Sequence, residues 1–175
     1  DLERGGFDFL FLLRGPRPAP AQVCVVAVDD DSVQVLGLNP SLPWPRSLHA
    51  RLLRTLKAEG ARAVAFDILF ETPRDPAEDQ EFAGALAETG FAVLGSTVNQ
   101  VEDPRFRQAQ IDEPYEGFAQ AAAAVADVNL PTDRDGVIRS AWVVHQDRKT
   151  LPVAATEIAT GRQVPGDRSQ RLIDY

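Results

Sequence analysis

Apolar positions along the chain fall into short continuous runs separated by stretches of helical period, the alternation expected of strands buried on both faces and joined by amphipathic helices. Residues 23–28, Val-Cys-Val-Val-Ala-Val, form the first such run and end in Asp29-Asp30-Asp31. The spacing of Asp31 and Gln34 matches a capping box, and Gly37 suits a helix stop. After the rigid stretch 40–45, Leu48, Leu52, Leu53 and Leu56 recur at helical spacing up to Gly60, and residues 63–70 read as a second buried strand. Strand, helix and strand in this order predict a right-handed parallel crossover. Residues 75–88 read as another amphipathic helix, with Phe82 and Leu86 on one face, and residues 91–98 as a third strand.

The regularity then weakens. Residues 102–114 read as a charged loop, 116–124 as an Ala-rich helix, and 125–130 and 137–145 as two strands joined through Asp135-Gly136, a hairpin signal. Residues 151–160 form a last predicted helix, stopped by Gly161, and 171–175 begin a strand. At the other end, residues 1–20 read as a short apolar helix or arm, interrupted by Gly5-Gly6 and closed by the Gly- and Pro-rich linker 15–20. The expectation is an α/β fold with a mixed, mostly parallel, doubly wound sheet flanked by helices and preceded by an N-terminal helical arm. The arm and linker take residues 1–20 and the α/β domain 21–175.

Composition narrows the function more than the fold. A chain of 175 residues has room for one domain with a packed core. Eighteen Lys and Arg against 26 Asp and Glu leave a net charge of -8, which repels phosphate backbones and anionic lipid head groups alike. Nucleic acid is excluded as a partner on that ground. The single Cys24 excludes an intramolecular disulfide, and its apolar surroundings read as burial. With no Met, the chain reads as a piece cut from a longer one. The most lipid-like stretch, residues 7–13, is too short to span a membrane and carries Asp8. Lys57 and Lys149 are the only lysines, which leaves little room for a catalytic lysine.

The candidate chemistry is acidic. Asp29 and Asp30 close one predicted strand and Asp67 sits in the next. Ligands of a parallel sheet lie outside its carboxyl strand ends, so adjacent strands would gather these three carboxylates into a site for a hard cation such as Mg²⁺ or Ca²⁺. The competing account is local: Asp31 caps a helix, Asp29 or Asp30 accepts turn N–H groups, and Asp67 pairs with an arginine, Arg46 or Arg139. Residues 25–33 also fit the D-x-D-x-[TV] strand of haloacid-dehalogenase-type phosphotransferases, which would make Asp29 the nucleophile of a Mg²⁺-dependent enzyme. The second strand lacks the expected Ser or Thr and no Lys follows. Response-regulator receivers are imitated equally incompletely. His49, on a charged helix face, and His145, at a strand end, are too few for a His-rich zinc site. Asp133 to Gly136 reads as a turn rather than a calcium loop, and Trp44 as a recognition surface or a plug at one end of the sheet.

Taken in order, several blocks resemble one sensory family. They are Phe7-Asp8 through Arg14-Gly15-Pro16, Val26 to Ser32, Pro43-Trp44-Pro45-Arg46, Leu52-Leu53 with Leu56, Gly60 through Phe66-Asp67 to Phe70, and Asn129 with Asp133 to Arg139. The chain resembles the CHASE domain of the second type, the cyclase- and histidine-kinase-associated sensory extracellular domain. The resemblance implies a non-catalytic, periplasmic or extracellular input domain of a bacterial transmembrane receptor. It also implies a preceding membrane helix, further membrane helices after the domain, and an adenylate or guanylate cyclase or a protein kinase as output. The family domain ordinarily continues beyond the point matched by 171–175, so the chain is expected to be incomplete at its C-terminal end. The ligand-binding candidates are Asp29, Asp30, Asp67, Trp44, Arg46, Asn129 and Arg139, with Asp29, Asp30 and Asp67 as metal ligands. The expected partners are a small molecule or ion and a second copy of the chain, the membrane being met only through helices outside it. A purely structural dimerisation module is the remaining alternative.

Overall fold

The computed structural model describes residues 2–18, 21–103 and 106–173, with side chains for all of these except 2–4, 7, 100–103 and 106–108. The side chain of Phe7, residues 19–20 of the expected linker and 174–175 of the expected last strand lie outside the described residues. Two compact units divide the chain: the described residues up to Pro43 with Ile173, and Trp44–Leu172.

In the first unit, α1 (Leu2–Arg14) runs unbroken through Gly5 and Gly6, where an interruption is expected from sequence. Two glycines cost a helix about 1 kcal/mol each relative to Ala without forbidding it. The helix ends at Gly15, whose φ of 72° is the left-handed conformation that a helix stop uses. Phe9, Leu10, Leu12 and Leu13 are exposed along it. Residues 23–29 form no strand, and Val23, Cys24, Val25, Val26 and Val28 are exposed, contrary to the buried strand and buried thiol expected from sequence. Composition supplies β propensity but not a pairing partner, and none of the described strands pairs with this run. Helix α2 (Asp30–Leu36) is capped by Asp29 rather than Asp31: the Asp29 carboxylate accepts the Ser32 N–H at 2.9 Å and the Ser32 hydroxyl at 2.5 Å. Gly37 closes it with φ 64°, as expected.

The second unit carries the sheet. Strands β1 (Val64–Phe66), β2 (Ala92–Asp103) and β4 (Ala124–Asp127) are parallel, with β2 in the middle. Strand β3 (Phe106–Asp112) adds antiparallel to the long outer part of β2. The sheet is thus mixed and mostly parallel, but residues 102–114 are largely strand instead of a loop. Strand β5 (Ser140–Trp142) pairs antiparallel with β8 (Gln170–Leu172), and β6 (Val144–His145) forms a hairpin with β7 (Arg148–Lys149). The hairpin expected between 125–130 and 137–145 is absent, because β4 is taken up by β2.

Alternate residues of β2 face two layers, as the period of a strand requires. Ala92 and Leu94 join a core with Phe66, Phe70, Phe82, Leu86, Phe118, Ala50 and Leu53, built by α3 (Arg46–Ala58), α4 (Pro76–Thr89) and α5 (Glu116–Ala121). Val93 faces a second cluster with Ala126 and Ala154, covered by α6 (Leu151–Thr160). The helices start and stop on local signals: the Asp75 carboxylate accepts the Ala77 and Glu78 N–H groups at 3.0 Å each, and Gly90 and Gly161 end α4 and α6 with φ of 67°. Helix α3 starts differently. Pro45 offers no capping side chain, and Glu78 of α4 takes that role by accepting the Arg46 N–H at 3.0 Å and the Ser47 hydroxyl at 3.1 Å.

Candidate functional site

The carboxyl ends of β1 and β4, which flank β2, open on one cleft. β1 ends at Phe66, so Asp67 leaves the sheet there, while the register sets Ser96 of β2 opposite Asp127 of β4. Beyond β4, Val128 donates its N–H to the Ser96 carbonyl at 2.9 Å. Asn129 then completes the pairing with its side chain: the Val98 N–H donates to its Oδ1 at 2.8 Å and its Nδ2 donates to the Val98 carbonyl at 3.2 Å. This close approach needs Gly95, since a Cβ there would meet Val128 Cγ1 at 2.8 Å and the Phe66 carbonyl oxygen at 3.0 Å.

The opposite wall comes from 141–152. Gln146 and Asp147 turn the β6–β7 hairpin with φ of 46° and 64°, the positive pair of a type I′ turn. The chain thereby returns to Trp142: the Thr150 hydroxyl donates to the Trp142 carbonyl at 2.9 Å, and Thr150 bridges Asp127 in parallel. Helix α6 starts at once, with Leu151 and Pro152 on the cleft. The cleft holds a cavity of about 190 Å³, open to solvent on one side and lined by Asp67, Asp127, Asn129, Trp142, Thr150 and the apolar residues around them.

Behind the cleft lies a buried polar cluster. The Asp127 carboxyl group is fully buried and stands 2.5 Å from His145 Nδ1, and the His145 ring stacks on Trp142 with centroids 4.1 Å apart and planes 11° apart. The second Asp127 oxygen accepts the Asn129 N–H at 3.2 Å. Arg148 donates to the Ser96 hydroxyl at 2.9 Å and pairs with Glu113 at 2.7 Å. These bonds fix the strand ends and the hairpin to one another, so the cleft is preformed rather than assembled from loose loops.

Of the residues expected at a site, the structure brings Asp67 and Asn129 into this cleft. The others do local work. Asp29 caps α2, and its bonds from Ser32 hold its carboxyl below the ordinary carboxylate range. Asp30 lies in the first turn of the same helix. Arg46, 2% exposed, sits with its guanidinium 4.5 Å from the Phe70 ring centroid, donates to the Thr72 carbonyl at 3.3 Å and pairs with Asp79 at 3.6 Å. Trp44 stacks on His49 with centroids 6.4 Å apart. Arg139 holds Asp133 at 2.9 Å and both oxygens of Asp135 at 3.0 and 2.9 Å, which draws the Asp135 carboxyl down to about 2. Arg46 thus pairs with Asp79, and Arg139 with Asp133 and Asp135, where the sequence suggested Asp67 as a partner. His49 is not on a charged face but buried among Phe66, Phe70 and Phe82. Among the described residues, no group of three or more His, Cys, Asp or Glu side chains is arranged to hold a metal ion, and no helix is long and apolar enough to cross a membrane.

Asp127, His145, Trp142 and Thr150 were not among the sequence candidates. A signal for Asp127 was present: like Asp67 it is an acidic residue inside a predicted apolar strand, 125–130, and the structure ends β4 on it, where the carboxyl-end rule applies. His145 and Trp142 reach it only through the hairpin return, which no short motif announces.

Comparison with known proteins agrees with the resemblance. The family model described as the CHASE2 domain matches residues 1–173, and no curated protein and no solved structure matches the chain. The chain belongs to the CHASE2 family, a family of extracellular sensory domains without catalytic activity. The phosphotransferase alternative with Asp29 as nucleophile is thereby set aside.

Proposed function

We propose that this CHASE2 domain is the extracytoplasmic input module of a bacterial transmembrane receptor and that it reads a small solute in the cleft at the carboxyl ends of β1 and β4. The observation that carries the proposal is the position of the cleft, at the place where open parallel sheets hold their ligands, with polar groups fixed by a buried network behind it. A non-catalytic sensor acts only by binding one of two states better than the other, and the difference in contacts has to reach the segments that enter the membrane. Here the cleft wall is made by 141–152, so a solute that tightens this wall shifts the β5–β8 ribbon as well. An adenylate or guanylate cyclase or a protein kinase receives that shift, and a homodimer is the signalling unit. The exposed apolar side chains of α1 favour a second copy as what covers them.

Thermal unfolding of the domain against a panel of small solutes, including Mg²⁺ and Ca²⁺, tests the proposal. A solute read by this cleft raises the unfolding midpoint of the wild type by mass action and has a much smaller effect on Asp67→Asn and Trp142→Ala. A solute that stabilises all three proteins equally places recognition elsewhere and contradicts the proposal.

A further inference from the structure

We infer that the cleft selects a small organic cation, an ammonium group on a short apolar body; the inference rests on the cleft being the sensory site. Three features of its lining lead there. Among the described residues no Lys, Arg or His lines it, whereas one exposed carboxyl group does, that of Asp67. Asp127 is committed to His145 and to the Asn129 N–H, but Asp67 makes no hydrogen bond or ion pair with any described residue. The rest of the lining is apolar and includes Trp142, the aromatic side chain that best accommodates a cation beside it.

The opposing electrostatics are weaker. The N-terminal end of α6 brings a partial positive charge of about half an elementary unit, smaller than the charge of one carboxylate. The chain as a whole carries -8, which raises the local concentration of cations and lowers that of anions. Size favours a small body: the cavity of about 190 Å³ lies below the roughly 300–1,000 Å³ of sites for drug-sized ligands and has room for a short alkylamine. A bare Mg²⁺ fits poorly, since it demands a shell of oxygen ligands where this cleft offers mostly carbon.

The two tryptophans of the chain, Trp44 and Trp142, allow a direct test. Their indole N–H signals in a ¹H–¹⁵N spectrum, assigned with a Trp44→Phe variant, report the cleft and an internal reference. The probes are n-butylammonium, with 1-pentanol and pentanoate as neutral and anionic counterparts of similar shape, and MgCl₂. The expected result is a saturable shift of the Trp142 signal with n-butylammonium alone, Trp44 staying still, and binding weakened about threefold to tenfold in Asp67→Asn. Asp67 is exposed, so the variant folds as the wild type does. Equal shifts from the alcohol or the carboxylate, or affinity unchanged in Asp67→Asn, overturn the cation assignment while leaving the cleft as a sensory site. A Trp142 signal that no organic probe moves, or that only Mg²⁺ moves, also overturns it. Failure of the sensory reading itself appears separately, as solutes that stabilise wild type and cleft variants alike.

Discussion

Acidification should destabilise the sheet-bearing unit through His49. The residue is 5% exposed and packed among three phenylalanine rings. Burial first, and then the positive charges of Arg46 and Arg74, push it from 6.5 down to about 4. A histidine depressed in this way binds fewer protons folded than unfolded between the two values. The stability it supports is therefore complete above the unfolded value and is lost as pH falls toward the folded one. Integrating 1.36 kcal/mol per unit over that window gives a loss of about 2 kcal/mol from pH 7 to 5 and about 3 kcal/mol by pH 4. Urea unfolding followed by tryptophan fluorescence measures it, with His49→Leu as the variant that keeps apolar bulk and cannot take a proton. The wild type should lose about 2 kcal/mol more than the variant between pH 7 and 5. Parallel pH profiles for the two proteins would refute the claim that a neutral imidazole is buried there.

Two further substitutions separate structural from ligand-facing roles among the motif residues. Arg46→Ala should cost about 3–5 kcal/mol in urea unfolding, because it strands the buried Asp79 without its partner; a cost below about 1 kcal/mol would mean that the pair is solvated and that Arg46 is free for a ligand. Asn129→Ala should cost about 1–3 kcal/mol and speed exchange of the Val98 amide about tenfold or more, since it removes both side-chain bonds to β2; an unchanged Val98 exchange rate would show that the bonds do not hold the strand ends.

The parts of the fold legible in the sequence are those whose signals are local. Helices α3, α4 and α6 carry both an apolar stripe and a stop, and Asp75, Gly90 and Gly161 do in the structure what their types imply. Strand β3 escaped because, of its described side chains, Ala109, Gln110 and Ile111 are exposed and the half-buried Asp112 is polar, so these four carry no alternation of buried apolar residues. The run 23–28 misled in the opposite direction, since its composition is that of a buried strand while burial depends on a partner that composition cannot name. His49 was misplaced because Arg46, Arg51 and Arg54 surround it in sequence, although its spacing to Leu53 puts both on one face. At the site, Asp67 was legible as a carboxylate within the predicted strand 63–70, although the strand ends earlier, at Phe66. The Asp127–His145 contact was not, because its partners are 18 residues apart and meet only through the hairpin return.

Hydrogen–deuterium exchange tests the central claim most directly, comparing the domain alone with the domain saturated by whichever solute raises its unfolding midpoint most. The account predicts added protection confined to 127–130, 141–142 and 150–151, with the Asn129 amide and the start of α6 most affected. Protection centred on the separate groove lined by Ala123, Ala124, Lys149, Glu157 and Gln163, or spread evenly over the sheet with none at the strand ends, would contradict it.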